Sequence, residues 1–392
     1  QGVSSKSLFQ RSYFSKDGLE YSLGRVPIGG TDFSTRAYSY VSEELDPQLK
    51  SFRLQVEDFK YKIPIIKKAR ELSEDLKLFS SAWTAPKWMK TNGKYTGPVS
   101  FLKEEYYQQW ADYHVKFLDA YSEQNVTFWG MTTGNEPLSG ILNMPVPSVA
   151  WVAPTQREWV QNNLGPAIRK SKHSKIRLMA LDDQIFLLPF YMEIMFKSKK
   201  VEQYIDGIAV HWYQEGVSPS LSLSDTHKSF PKKFILATEA SWGAKKQTKV
   251  CLGCWNRGEE YVDRIIYYIE NFVTGWMDWN MVLDLDGGPS YYKNFLDAPI
   301  IVNPEAGEFY KQPMFYAMGH FSKFIPPGSH RIETQYSGKD ISAAGFKRPD
   351  GIVVLVILNK CSGDRKLTIK KSGDKKKINL TISKKSFTTI LM

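Results

Sequence analysis

Cysteine is scarce in this chain. Three residues, Cys251, Cys254 and Cys361, are spread over 392 positions, which excludes a disulfide-built scaffold. Cys251 and Cys254 have CxxC spacing, but no second pair follows, so a four-ligand zinc site lacks half its donors. A local disulfide or two loop thiols remain open. No apolar run approaches the roughly 18 residues of a membrane-spanning helix. Gln1 is not followed by a basic-then-apolar stretch, so no secretory leader is expected within these residues. No GxGxxG, P-loop or nucleophile elbow occurs, which removes the main sequence support for dinucleotide, nucleotide and serine-hydrolase chemistry. Helix-turn-helix, zinc-finger and RNP-like patterns are also missing, so nucleic acid is not an expected partner.

What is abundant is aromatic and basic. The chain has 11 Trp, 21 Tyr and 22 Phe, and aromatics make up 14% of it. Flat apolar side chains in such number suit a protein that stacks against sugar rings. Lys and Arg total 52 against 41 acidic residues, a net charge of +11. Part of the surplus lies in RKLTIKKSGDKKKINLTISKK, residues 365–385. There the lysines alternate with β-formers, as on a guarded sheet edge or a surface drawn to anionic lipid.

Short apolar runs recur with helix-like stretches between them. They are residues 21–27, 77–83, 126–133, 176–181, 205–212, 234–238 and 275–280, and the intervening segments 63–74, 104–122, 156–172 and 262–273 are amphipathic. Near-continuous apolar strands separated by helices predict a parallel sheet. Seven such repeats favour a (β/α)8 TIM barrel over an open sheet. After Pro326-Pro327-Gly328 the texture changes to short strands and turns. The expected division is a catalytic TIM-barrel domain at residues 1–325 and a small β-sandwich module at 326–392.

In such barrels the chemistry sits at the carboxyl ends of the strands. Those ends offer Arg25, Trp83, Asn135-Glu136, Asp182-Asp183, His211-Trp212-Tyr213, Glu239 and Trp279-Asn280. Glu136 and Glu239 stand out as acids placed where an apolar strand gives way to a loop. Two carboxylates from different strands, ringed by aromatics, suit glycosidic bond cleavage. A helix cap or a salt bridge is the bland alternative for either one. Asp182-Asp183 has metal-binding potential, but no His/Asp cluster with ligand spacing surrounds it, so no metal is expected. Asn125-Val-Thr127 and Asn379-Leu-Thr381 match the N-glycosylation sequon.

Several motifs together carry a family resemblance. RVPIGGTDFSTRAYSY (25–40), SAWTAPKWMKTNG (81–93), GNEPLSG (134–140), LDDQ (181–184), GIAVHWY (207–213), ATEAS (237–241), GWMDWN (275–280) and KQPMFYAMGHFSKFIPPGS (311–329) occur in order. The chain resembles the lysosomal glucosylceramidases of glycoside hydrolase family 30. The resemblance implies a retaining β-glucosidase that cleaves glucosylceramide to glucose and ceramide, with Glu136 as acid/base and Glu239 as nucleophile. It implies Asp32, Trp83, Asn135, Tyr213, Trp279 and Asn294 around the glucose, and Arg25 and His211 supporting the carboxylates. It further implies no cofactor or metal, work at the lumenal side of the lysosomal membrane, and an anionic lipid surface and a saposin-type activator as partners.

Three expectations go with it. Relatives carry a further N-terminal stretch, so the barrel is expected to lack its first strand and the β-module some of its own. A truncated, non-catalytic glycolipid-binding derivative is the alternative function, and a family 30 enzyme for another β-linked sugar is a third. Glu136 is expected to have a raised pKa, through burial and the anionic charge of Glu239.

Overall fold

A computed structural model describes residues 5–142, 144, 146–213, 222–243, 249–338, 340–373 and 377–392. Pro145, residues 245–248 and Lys375-Lys376 of the lysine run lie outside the described residues.

Seven strands form one parallel sheet in chain order. They are β1 (Leu23–Ile28), β2 (Lys77–Ala82), β3 (Gly130–Thr132), β4 (Arg177–Gln184), β5 (Ile205–His211), β6 (Phe234–Glu239) and β7 (Val273–Trp276). The helices are α1 (Ser5–Phe14), α2 (Ile63–Leu72), α3 (Tyr107–Glu123), α4 (Ala153–Trp159), α5 (Gly165–Lys170), α6 (Phe190–Met195), α7 (Lys199–Tyr204), α8 (Ser222–Ser229), α9 (Trp255–Glu270) and α10 (Pro313–Ser322). Parallel strands need such crossovers. The seventh strand begins and ends earlier than GWMDWN suggests, so Trp279 and Asn280 follow the strand. Two backbone bonds continue the pairing there, from Met277 N–H to Ala237 O and from Trp279 N–H to Ala240 O.

The two-residue period of a strand sorts the core. Leu78, Leu178, Ala180, Ile208, Val210, Ile235 and Ala237 face the helices in the main cluster. Phe79, Met179, Ala209, Leu236 and Met277 form a separate cluster inside the curled sheet. That inner apolar layer fills the barrel below the site, as stacked side-chain layers do in this architecture.

Among the described residues no ladder joins β7 back to β1. Near that seam the Tyr13 ring of α1 lies 5.5 Å from Phe315 of α10. Lys323 Nζ donates to the Lys16 and Gly18 carbonyls at 2.8 and 3.0 Å.

A small mixed sheet that the sequence pattern does not reveal follows β7. It pairs β8 (Val282–Asp284), β9 (Ile300–Asn303) and β10 (Glu308–Lys311). The last module is a sandwich. Its four-stranded antiparallel sheet contains β11 (His330–Ile332), β12 (Ile341–Lys347), β13 (Val353–Asn359) and β16 (Ser386–Leu391). It packs Ile341, Ala343, Leu355 and Ile357 against Leu367, Ile369, Leu380 and Ile382 of the hairpin β14 (Arg365–Lys370) and β15 (Lys377–Ile382). The module also touches α9: Trp255 stacks on Phe387 at 4.3 Å, and Asp263 accepts from Ser342 Oγ and Lys360 Nζ.

Candidate active site

Two residues further along each strand from the inner apolar layer, the interior turns polar. Arg25, Ser81, Thr132, His211 and Thr238 converge on one carboxylate, that of Asp182. Asp182 Oδ2 accepts from Arg25 Nη2 at 2.7 Å, Ser81 Oγ at 2.7 Å and Thr132 Oγ1 at 2.8 Å. Asp182 Oδ1 accepts from Thr238 Oγ1 at 2.6 Å and faces His211 Nε2 at 3.0 Å. With both oxygens engaged by protein donors, Asp182 is a structural anion and not a cation ligand. Its inward direction comes from a bulge: β4 slips register between Leu181 and Asp183, and Leu181 and Asp182 take φ of +76° and +54°.

The rim above this layer holds the two predicted glutamates. Glu136 has φ +43°, and its N–H donates to the Asp182 carbonyl at 2.9 Å. A non-glycine residue held in this region is strained backbone of the kind found at functional sites. Glu136 Oε1 faces His211 Nδ1 at 2.9 Å and accepts from Gln184 Nε2 at 2.9 Å, while Oε2 accepts from Ser139 Oγ at 2.8 Å. Glu239 Oε1 accepts from Tyr213 Oη at 2.8 Å, and its Oε2 accepts from Arg25 Nη1. Arg25 Nη2 also donates to Asn135 Oδ1 at 2.7 Å.

Oxygens of Glu136 and Glu239 and a ring nitrogen of His211 lie within 4.8 Å of one another. That spacing suits the pair of a retaining glycosidase, whose carboxyl groups stand about 5–5.5 Å apart; an inverting pair needs wider separation to seat a water. The same three groups are close enough to hold a cation, but the Arg25 guanidinium already supplies positive charge against Glu239.

The remaining predicted residues surround this pair. Trp83 and Trp279 stack at 4.7 Å and 17°, and the Arg25 guanidinium lies 4.6 Å from the Trp83 ring centre. Asp32 is buried, and Asn294 Nδ2 donates to its Oδ2 at 2.8 Å. Every residue expected in the pocket therefore falls in one region. The sequon residues do not: Asn125 is exposed at the end of α3, and Asn379 is exposed on β15 with its Oδ1 accepting from Thr368 Oγ1. Cys251 and Cys254 form a disulfide beyond β6, and Cys361 is buried and free. Sequence reasoning passed over Gln184 and Ser139, which are neutral, and left Asp182 without this role.

The protonation order differs from the expectation. Burial alone would raise Glu136, but the His211 hydrogen bond and charge, with Ser139 and Arg25, hold it below the usual carboxylate range. Burial pushes Glu239 up, against His211 and Arg25. His211, although buried, is raised to about 10 by Glu239, Asp182 and Glu136. The charge distribution thus favours an ionised Glu136 facing a protonated imidazole across one 2.9 Å hydrogen bond. The support expected of His211 is found at both acids, its Nδ1 standing 2.9 Å from Glu136 Oε1 and 4.0 Å from Glu239 Oε1. Its effect on the charge of Glu136 is what the sequence reading left out.

Residues 3–325 match the glycosyl hydrolase family 30 TIM-barrel domain, and residues 328–390 match the glycosyl hydrolase family 30 beta sandwich domain. The chain belongs to glycosyl hydrolase family 30. It is 43% identical to the lysosomal acid glucosylceramidase of Mus musculus over 93% of this chain and 72% of that protein. It is also 43% identical to putative glucosylceramidase 3 of Caenorhabditis elegans, over 97% of this chain and 74% of that protein. Among solved structures, SrfJ from Salmonella typhimurium superposes with a TM-score of 0.91 at 26% identity, covering 100% of this chain and 85% of that one. The endo-β1,6-glucanase BT3312 gives a TM-score of 0.86 at 25% identity, covering 98% and 86%. The family 30 barrel and sandwich thus account for both parts of the fold.

The buried groups of this family 30 site set a pH dependence. Asp32 is raised to about 7 by burial and Glu239, and Asp183 to about 7 by burial and Glu136. Both bind protons in the folded state that they release unfolded above about pH 4. Their contribution is present below that pH and is lost as pH rises to about 7. His211 adds stability that is full below about 6.5 and lost as pH rises through about 10. Two buried bases have the opposite sign. Lys90, lowered to about 7, acts only above pH 7. His114, lowered to about 4 by burial, gains stability as pH rises from about 4 to 6.5 and offsets part of the loss from the two aspartates. Thermal unfolding is therefore expected several degrees higher at pH 5 than at pH 7. Equal melting temperatures in matched-ionic-strength buffers would contradict these assignments.

Proposed function

We propose that this family 30 protein is a retaining β-glucosidase that hydrolyses glucosylceramide to glucose and ceramide. The observation carrying the reading is the convergence of Glu136 and Glu239 within 4.8 Å. Glucosylceramide is taken from the named activity of the relatives.

Glu239 is the nucleophile and Glu136 the acid/base. A Glu239 oxygen bonds the anomeric carbon as the bond from that carbon to the ceramide oxygen breaks. Glu136 delivers a proton to the leaving oxygen, drawing on the one shared with His211 Nδ1. In the second half Glu136 accepts a proton from water, whose oxygen bonds the anomeric carbon and releases Glu239. Esterified Glu239 carries no charge, so Glu136 becomes more acidic at that stage, which suits its change to base. Arg25 and Tyr213 hold Glu239 in place. Asp32, Asn135, Asn294, Trp83, Trp279 and Tyr213 line the glucose.

The substrate class implies a lipid surface. Exposed apolar side chains stand on the loops beyond the carboxyl ends of β1, β2, β3 and β7: Leu45, Val99, Leu142, Met144, Leu285 and Tyr291. Together with the net charge of +11, they support docking on an anionic bilayer, with a saposin-type activator assisting. A lysosomal lumenal site, a place in sphingolipid metabolism, and glycans on Asn125 and Asn379 complete the proposal. So does a division into a catalytic barrel at 1–325 and a sandwich at 326–392.

The test is hydrolysis of glucosylceramide in vesicles with and without phosphatidylserine. Release of glucose, faster on anionic vesicles, is expected. Leu142→Asp with Leu285→Asp should weaken vesicle sedimentation about tenfold and leave hydrolysis of a soluble aryl β-glucoside within about twofold. Glucosylceramide binding with no turnover of either substrate would instead indicate a non-catalytic derivative.

A further inference from the structure

The wall of the pocket that carries Asp32 is built from two loops that no strand ladder joins. Asp32 lies beyond β1, and Asn294 lies beyond β7, across the seam. Three hydrogen bonds close a ring between them. Asn294 Nδ2 donates to Asp32 Oδ2 at 2.8 Å. Ser290 Oγ donates to the Asp32 carbonyl at 2.6 Å. The Asn294 N–H donates to Ser290 Oγ at 3.0 Å. The Ser290 hydroxyl thus donates to one loop and accepts from the other, using both of its hydrogen-bonding capacities.

The base of the β7 loop is fixed separately. Leu296 N–H donates to the Gly287 carbonyl at 3.1 Å, and Gly288 N–H to Asp284 Oδ1 at 2.8 Å. Its outer part reaches the β1 loop through this ring and one further bond, from Tyr291 N–H to the Ser34 carbonyl at 2.9 Å. The ring occupies one Asp32 oxygen and leaves the other open. Asp32 Oδ1 is buried with no hydrogen-bond partner among the described residues. A buried carboxyl oxygen left open at a sugar site is suited to a ligand hydroxyl, which can accept from it or donate to it according to the carboxyl's protonation.

We propose that Ser290 is a positioning residue for sugar recognition: it locks Asp32 and Asn294 in one geometry across the seam, so that Asp32 Oδ1 meets a single hydroxyl of the glycone. The inference rests on the proposed reading of Asp32 as a glucose-binding residue. Ser290 touches neither the reacting atoms nor Glu136 or Glu239, so its loss acts on binding. A misplaced carboxyl oxygen weakens ground state and transition state together, which raises KM and leaves kcat.

The test uses the full chain, an aryl β-glucoside and its monodeoxy analogues. Asp32→Asn first identifies the hydroxyl that Asp32 reads, as the analogue on which that substitution no longer costs activity. Ser290→Ala is then expected to raise KM, and the inhibition constant of deoxynojirimycin, about tenfold, with kcat within about twofold. Ser290→Thr, which keeps the hydroxyl, should recover most of the loss. The Ser290→Ala penalty should vanish on the same analogue that Asp32→Asn leaves untouched. An equal penalty on every analogue, or none on the parent glucoside, would overturn the inference while leaving the Asp32 assignment intact. An Asp32→Asn penalty uniform across all analogues would remove that assignment and this inference with it.

Discussion

Glu239→Gln is expected to lose turnover of an aryl β-glucoside by roughly 10⁴-fold or more, with the fold unchanged. The amide keeps the shape but supplies no anionic nucleophile, and the whole covalent route passes through that oxygen. Arg25 and Tyr213 donate to different oxygens of Glu239, so the glutamine keeps the Arg25 bond through its carbonyl oxygen and its NH2 turns to the Tyr213 hydroxyl, which can accept. Glu136→Gln should behave differently. An aryl leaving group needs little protonation, so the first step survives and the second stalls for want of a base. Added azide, which needs no base, should restore turnover and yield β-glucosyl azide in the Glu136 variant but not in the Glu239 variant. Rescue of the Glu239 variant to a β product, or no difference between the two, would reverse or remove the assignments.

Asp182→Ala carries the second large effect, on stability and activity together. Asp182 is fully buried, as is His211, and the Arg25 side chain is 3% exposed. Burial opposes its ionisation, but Arg25, His211 and Thr238 overcome this and hold Asp182 well below the usual carboxylate range. Its removal leaves the Arg25 guanidinium and the His211 imidazole short of their shared anion. Stripping one partner from a buried pair costs about 3–5 kcal/mol, visible as a lower denaturant midpoint. Turnover should fall about 100-fold or more, because Arg25 aims Glu239 and His211 holds Glu136 through its 2.9 Å contact. Asp182→Asn keeps the shape and loses the charge, and should fall between. An alanine variant of native stability and rate would show that the polar layer neither braces nor tunes the site.

How much of this was legible beforehand depends on what kind of signal each residue leaves. Glu136 and Glu239 were readable because a charge at the end of an apolar strand contradicts its surroundings unless it is used. The seven parallel strands were readable because buried strands are continuously apolar. The role of Asp182 was not, because two adjacent aspartates on a period-two strand leave open which one points inward. The answer lies in the bulge at Leu181 and Asp182, a backbone feature with no local signature. Gln184 and Ser139 carry no charge and belong to no periodic pattern. The β8–β10 sheet escaped notice because strands of three and four residues are too short to show a period. The pKa order differs for a tertiary reason: His211 was expected beside the carboxylates, but burial among three acids is what favours its charged form, and that charge outweighs the effect of one glutamate on the other.

The central claim is that Glu136 and Glu239 act on one glucosyl unit from opposite roles. The most direct measurement is to react the protein with 2-deoxy-2-fluoroglucosyl fluoride and map the modified peptide by mass spectrometry. The account predicts one fluoroglucosyl adduct per chain, on Glu239, slowly released by water. An adduct on Glu136 or any other residue, or no adduct from a protein that still hydrolyses β-glucosides, would contradict it.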